Sequence, residues 1–522
     1  MRVSGSPAPD IVTATEAVRR IKDGDSLLLE ASGGGVMEPS ALVEALALRY
    51  LETGAPRGLS LMFCSGVGDR QGSGAGRLAH RGLLKRVIAG HWGMAPALGD
   101  LLQAEEIEGY NLPQGVLAQL LREVAAGRPG LITTTGLETF CDPRYGGGRL
   151  NSVTSEDLVE LITLDDRQYL RYLPPRFDFG FIRGTTADER GNITLEHEAA
   201  RLGVLAAAMA VRNSGGVVIA QVKRIAEWKT LSARDVVVPG HLVDYLVVDE
   251  DQWQTTLDRN NPAYSGEVRV PHSHSEPMPL TERKVVARRA LAEIRSGSVV
   301  NLGVGMADGV ASVAAEEGRL DEITLTVEQG LVGGVPARGV IFGCSWNPEA
   351  IIDASAQFDF YDGGGLDVTC LGFAEVDVEG NVNSSLVDGR VFGAGGFINI
   401  SQSARTVVFC GTLTAGGLRC SVVDARLRID REGQHRKFVR AVRQRTFSAA
   451  RAYARQQRVI YVTERAVFTL CEGGLELIEV AEGIEVDSIL ALMDFAPRIS
   501  KDLRVMDPGL FAEGPLSMES GG

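Results

Sequence analysis

The sequence predicts two tandem open α/β domains related by internal duplication, each a mostly parallel sheet flanked by helices. Three observations point there. Short apolar strands end in glycine turns that lead into helices, which is the repeating unit of a parallel sheet covered on both faces. The same order of elements occurs twice along the chain. At 522 residues the chain is too long for one ordinary hydrophobic core, so at least two domains are expected.

The first copy opens with an amphipathic helix, Thr15 to Lys22, stopped by Asp23-Gly24-Asp25. A strand from Ser26 to Glu30, a turn at Gly33-Gly34-Gly35 and a helix from Pro39 follow. The second copy runs from a helix at Thr281 to Ile294, through a strand at Val299 to Leu302 and a turn at Gly303-Val304-Gly305, to a helix from about Asp308. Each copy then reaches a further strand, Leu59 to Phe63 and Ile323 to Val327. These end in Cys64-Ser65-Gly66 and Glu328-Gln329-Gly330, respectively. Later, Asp188-Glu189-Arg190-Gly191-Asn192-Ile193 matches Asp377-Val378-Glu379-Gly380-Asn381-Val382. The longer separation of these points in the first copy implies an insertion near residues 70 to 170. The expected layout is a first domain at 1–250, a linker at 251–279 and a second domain at 280–522. The linker is placed on the polar, proline-containing composition of Asp251 to Pro279. Its His272/His274 pair reads as solvated linker ahead of a metal site.

Composition narrows the function. With 44% hydrophobic and 23% charged residues the chain is that of an ordinary globular protein. A formal net charge of -14 argues against a nucleic-acid partner, because phosphate backbones call for basic surfaces. The Arg436 to Arg445 cluster offers a local anion site, although such runs are usually a solvated helix face. No apolar stretch approaches the roughly 20 residues of a membrane span, and Met1 to Asp10 lacks the apolar core of a secretion signal. A cytoplasmic protein is expected. The seven cysteines show no C-x-x-C spacing, so neither disulfides nor a structural zinc is expected.

In open α/β sheets ligands collect at the carboxyl ends of the strands. Glu328 stands at such an end, before Gly330, Gly333 and Gly334. A helix-capping or turn carboxylate is the bland reading. The glycines add tight turns and close approach of a ligand. The run Gly393-Ala394-Gly395-Gly396-Phe397 can turn its backbone N–H groups on an oxyanion or simply make a turn. Gln114, in Asn111-Leu112-Pro113-Gln114-Gly115, has an amide that can donate to a substrate oxygen without adding charge. His91 reads as a packed or capping residue, and Cys64 as a buried structural thiol. Neither a dinucleotide fingerprint in its strand-to-helix setting nor a G-x-x-x-x-G-K-[ST] loop is present.

Taken together, these stretches resemble the family I CoA-transferases, in the branch of propionate and acetate CoA-transferases. The resemblance runs from about Thr13 to Phe511. It is carried by Glu108 to Gly115, Gly136 to Pro143, Glu328 to Gly343, Gln357 to Asp367, Gly380 to Asn383, Gly393 to Ser401 and Thr463 to Phe468. It implies that Glu328, in an E-x-G-x-x-G-G motif, is the covalent nucleophile, with Gln114, Gly395 and Gly396 as oxyanion-stabilising donors. Gly330, Gly333, Gly334, Asn381, Gly393 and Phe397 are the candidate contacts to CoA. Gln329 and Ala481-Glu482-Gly483 depart from the pattern of relatives without touching the nucleophile.

The implied reaction moves CoA from a short-chain acyl-CoA to a carboxylate through an acyl-glutamyl anhydride and a glutamyl-CoA thioester. Its nucleophiles and leaving groups are already anions. No metal and no tightly bound cofactor is expected, with coenzyme A thioester entering as substrate. The expected partners are acyl-CoA and short-chain carboxylic acids, with no nucleic acid and no membrane, in a homo-oligomer, a dimer or a tetramer. The active site is expected between the halves. A thioester hydrolase on the same scaffold and a non-catalytic CoA-binding regulator are the alternatives.

Overall fold

The computed structural model describes residues 8–271 and 277–514. The His272/His274 pair lies outside the described residues. The chain forms two compact units. The first comprises 1–270, 327–359 and 388–399, and the second comprises 271–326, 360–387 and 400–522.

The first unit is built on an eight-stranded sheet in which every neighbour is parallel. Its strands are β1 (Asp10–Ile11), β2 (Ser26–Leu29), β3 (Leu59–Phe63), β4 (Leu84–Ala89), β5 (Glu108–Asn111), β6 (Phe179–Arg183), β7 (Val217–Val222) and β8 (Tyr245–Val248), in the order β1-β8-β7-β6-β2-β3-β4-β5. Runs such as Leu27-Leu28-Leu29 are buried throughout, as a parallel sheet covered on both faces requires. Helices α1 (Ser40–Thr53), α2 (Gln114–Ala125) and α3 (Val204–Asn213) belong to this unit. Gly54 ends α1 in the left-handed conformation, its N–H donating to Tyr50 O.

The second unit holds eight neighbouring strands of another sheet. They are β9 (Val299–Leu302), β10 (Thr324–Val327), β11 (Val368–Gly372), β12 (Thr406–Cys410), β13 (Arg458–Val462), β14 (Ala466–Cys471), β15 (Gly474–Val480) and β16 (Arg498–Val505). The order is β10-β9-β11-β12-β13-β14-β15-β16, parallel as far as β13 and antiparallel from β13 to β15. The duplication is visible in the topology: β8-β7-β6-β2-β3 in one sheet is repeated as β13-β12-β11-β9-β10 in the other.

Three features differ from the sequence reading. The inserted region contributes a three-stranded antiparallel sheet from Leu131–Thr133, Val159–Leu164 and Arg167–Tyr172. The linker has no regular strand or α-helix among its described residues, yet it is packed. Gln252 is buried and donates to Gly184 O and Glu198 Oε1, each at 3.0 Å, while Thr256 N donates to Gly34 O at 2.7 Å. The Arg436 to Arg445 run is no helix face. It forms short strands at His435–Arg436 and Phe438–Val439, with Arg436 paired to Asp494 at 2.8 Å and Arg443 to Glu375 at 3.1 Å. Among the described residues no helix is long and apolar enough to cross a membrane.

Candidate active site

The carboxyl ends of β2 to β5 and two segments from later in the chain meet inside the first unit. Segment 327–359 begins as β10 ends, so Glu328 follows a buried apolar strand directly and is itself 9% exposed. Gly330 explains the turn that comes next. Its φ is 101°, and a Cβ there would fall 2.1 Å from Ile352 O, so only glycine fits. Ile352 N donates back to Gly330 O at 2.8 Å, pinning the turn to the 350–354 stretch. Gly333 and Gly334 connect strand Leu331–Val332, which pairs with Ala350–Ile351, to strand Val335–Pro336, which pairs with Ser345–Trp346, and this gives them a backbone reason of their own.

The turn after Glu328 is also held to the first copy of the repeat. Gln329 Nε2 donates to Ser32 Oγ at 3.3 Å, and Ser32 Oγ lies 3.1 Å from Ser65 Oγ. Ser32 and Ser65 sit just beyond β2 and β3, so the side chain after Glu328 reaches the ligand-collecting end of the first sheet. Val327, Leu331, Ile341 and Cys344 pack in one hydrophobic core with Leu28, Met62 and Val116.

Gln114 begins α2 and is 5% exposed. Its backbone N–H donates to Gly395 O at 2.9 Å, and Gly115 N donates to Asn399 Oδ1 at 3.1 Å. A Cβ built on Gly395 would lie 3.7 Å from Gln114 Oε1, so the carboxamide and the glycine run border the same space. The structure divides the two glycines that the sequence reading paired as donors. Gly395 N–H is already given to Gly90 O at 2.7 Å, a backbone bond that removes it from the donor set. Among the described residues, Gly396 N–H is given to no backbone carbonyl.

Asn111 organises this loop, a role that its place before Gln114 did not reveal. It is fully buried, donates to Ala89 O and Gly90 O at 2.8 and 2.6 Å, and accepts from Ala394 N at 2.9 Å. Gly393 has φ 85°, and a Cβ there would come within 2.9 Å of His91 Cα, so close backbone packing dictates this glycine. Phe397 is buried at the start of the following helix.

Electrostatics around these residues favour neutral groups. Burial, aided by Arg70, lowers the His91 imidazole to about 4, so the ring is uncharged at neutral pH. It lies against Gly66 and near Gly395. Burial first, and then the Glu30 carboxyl, push the Cys64 thiol well above its ordinary range, so thiolate chemistry there is suppressed. Glu30 is itself raised to about 7 by burial, with Asp353 adding to the effect.

Asn381 belongs to the second unit, apart from these residues in the division of the chain. Its carboxamide is committed to the fold, donating to Asp377 Oδ2 at 3.0 Å and accepting from Ala449 N at 2.9 Å. Among the described residues no cluster of three or more His, Cys, Asp or Glu side chains is arranged to hold a metal ion.

The coenzyme A transferase family model matches residues 11–249. The chain is 46% identical over 508 residues to acetate CoA-transferase YdiF of Escherichia coli (strain K12), covering 97% of this chain and 96% of that protein. It is 47% identical over 513 residues to caffeate CoA-transferase of Acetobacterium woodii, covering 96% and 97%. A crystal structure of acyl-CoA transferase YdiF from E. coli O157:H7, a thioester complex with CoA, is similar with a TM-score of 0.94 at 46% identity. That match covers 98% of this chain and 97% of the crystallised one.

Proposed function

The chain belongs to the coenzyme A transferase family and is a CoA-transferase, and from that premise we propose that Glu328 is the carboxylate through which CoA passes. The observation that carries this reading is the setting of Glu328. A carboxylate at the carboxyl end of a parallel strand, in a turn fixed by Gly330 and Gln329, shares one compact unit with the neutral groups of Gln114 and the Gly393 to Gly396 loop.

The chemistry follows from charge. Glu328 attacks the acyl-CoA carbonyl, giving an acyl-glutamyl anhydride and CoA thiolate. The thiolate attacks the glutamyl carbonyl, leaving glutamyl-CoA and the donor acid. An incoming carboxylate reverses both steps, so one thioester is exchanged for another. Each tetrahedral intermediate places an oxyanion beside former carboxylate oxygens. The Gln114 amide and the Gly396 N–H can stabilise that charge without forming an ion pair with Glu328. A cation in their place would stabilise the ground-state carboxylate as well, which lowers its reactivity.

The relatives named for acetate and caffeate support acyl-CoA and carboxylic acids as the substrates. We assign a short-chain acyl-CoA donor such as acetyl-CoA. CoA enters as substrate, held in part by the Glu328 to Gly334 and Gly393 to Phe397 loops. We place the enzyme in the cytoplasm, as a homo-oligomer. All seven cysteines are unpaired thiols, which suits a reducing compartment.

The test is to incubate the protein with acetyl-CoA and no acceptor acid, then locate the modification by mass spectrometry. A borohydride-reducible thioester on Glu328 is expected. Full turnover by Glu328→Gln, or rapid CoA release that ignores the acceptor acid, overturns the proposal.

A further inference from the structure

A carboxyl group outside the reaction path is linked through backbone hydrogen bonds to the turn that follows Glu328. Glu30 follows β2 directly and is 3% exposed, with Oε2 buried and unpaired. Its Oε1 accepts from Gly203 N at 2.7 Å, just before α3 begins. Gly203 is matched to this contact, because a Cβ there would stand 3.2 Å from Glu30 Oε1. The preceding residue, Leu202, sits at φ 50°, a left-handed conformation that a leucine adopts only when its surroundings hold it. Leu202 O accepts from Ala354 N at 2.9 Å. Two residues earlier, Ile352 N donates to Gly330 O at 2.8 Å, in the turn that follows Glu328. Every link in this chain lies within the first unit.

We propose that Glu30 is a positioning residue for CoA transfer, fixing the 202–203 bend and, through 352–354, the turn that presents Glu328. The inference rests on Glu328 as the nucleophile. A buried carboxyl is a costly choice for holding one backbone N–H, since a neutral amide can do the same. What the carboxyl adds is a change of charge. The groups facing this system are the Cys64 thiol beyond β3, Asp353 in the pinned stretch, and Arg201 and Arg122, which act on Asp353. On neighbouring β6, Arg183 is engaged by Glu198 at 2.9 Å.

With its ionisation raised to about 7, Glu30 is a neutral acid below that pH and a buried anion above it. The anion repels Asp353, whose own carboxyl is raised by burial, and so strains the segment that seats Gly330. Formation of the glutamyl thioester therefore slows as pH rises through about 7.

The experiment uses the full chain, wild type, Glu30→Gln and Glu30→Met. The rate of thioester formation from acetyl-CoA and the steady-state transferase rate are both followed from pH 5.5 to 8.5. Glu30→Gln, which keeps an acceptor and cannot ionise, is expected to lose the decline through about pH 7 and to fall less than about threefold at pH 6. Glu30→Met is expected to lose about tenfold in kcat at pH 6, with KM for acetyl-CoA little changed. A wild-type pH profile in Glu30→Gln, or a Glu30→Met enzyme altered only in Tm, overturns the proposal. Normal turnover without any thioester instead overturns the assignment of Glu328, while the pH profile of turnover still reports on Glu30.

Discussion

In the first copy of the repeat, Asp188 Oδ1 accepts from Arg190 N and Asn192 N at 2.9 and 3.0 Å, and Asn192 Nδ2 donates to Asp188 Oδ2 at 2.8 Å. In the second, Asp377 Oδ1 accepts from Glu379 N and Asn381 N at 3.1 and 2.9 Å, and Asn381 Nδ2 donates to Asp377 Oδ2 at 3.0 Å. The two turns are the same device. The strand ends are not: one carries a thiol that burial keeps protonated, the other a carboxylate followed by a turn with its own supports. Duplication has kept the hydrogen bonds that close the fold and let the strand ends diverge. An asparagine in a repeated motif is therefore better read as architecture, and a residue that breaks the repeat as chemistry.

The sharpest way to break this contrast is at the strand ends. Glu328→Gln is expected to lower kcat by at least about 10⁴-fold. Cys64→Ala, its counterpart, should cost only packing, with kcat within about threefold. Comparable losses from both would mean that the first strand end also does chemistry. Next, Gln114→Ala should lose about 10²- to 10³-fold in kcat, the usual effect of deleting one oxyanion donor, with thermal unfolding close to wild type. A rise in KM alone would make Gln114 a binding residue.

The turns should respond in the opposite currency. Asn192→Ala strands Asp188 Oδ2, whereas Asn381→Ala leaves Asp377 Oδ2 with the 3.5 Å bond from Val442 N, and each is expected to cost about 1–3 kcal/mol of stability while turnover per folded molecule is retained. Denaturant titration compares the pair, and loss of turnover in Asn381→Ala alone would give that turn a second role. The smallest effect is at Cys64. Iodoacetamide at pH 8 should leave it unmodified until the chain is unfolded, because its thiolate is scarcely populated. Rapid labelling in the native protein would undo the contrast from the other side.

Local pattern made much of this legible. Leu59–Phe63 and Val299–Leu302 occur as strands with the expected limits, because unbroken apolar runs bounded by turn residues suit a doubly covered sheet. Helix α2 starts at Gln114, one residue after Pro113, which lacks the N–H that a longer helix would need there. Contacts between distant segments were not legible. Asn111 gathers Ala89, Gly90 and Ala394, and nothing in its immediate neighbours shows that residues some 280 positions later will need it. The use of Gly395 N–H on Gly90 O has the same origin. The sheets follow the two halves of the chain, but the compact units do not, because Leu331, Ile341 and Cys344 bury their apolar surface against the first copy.

That last arrangement bears on how the protein is made. The first unit is interrupted after Val270 and is completed only by 327–359 and 388–399. On a ribosome adding about 5–20 residues per second, the span from 270 to 399 takes roughly 6 to 26 s to synthesise. During that interval the apolar surface around Val116 and Leu28 awaits Leu331 and Ile341. A nascent chain is thus open to chaperones and proteases at the place where Glu328, the proposed nucleophile, will later sit.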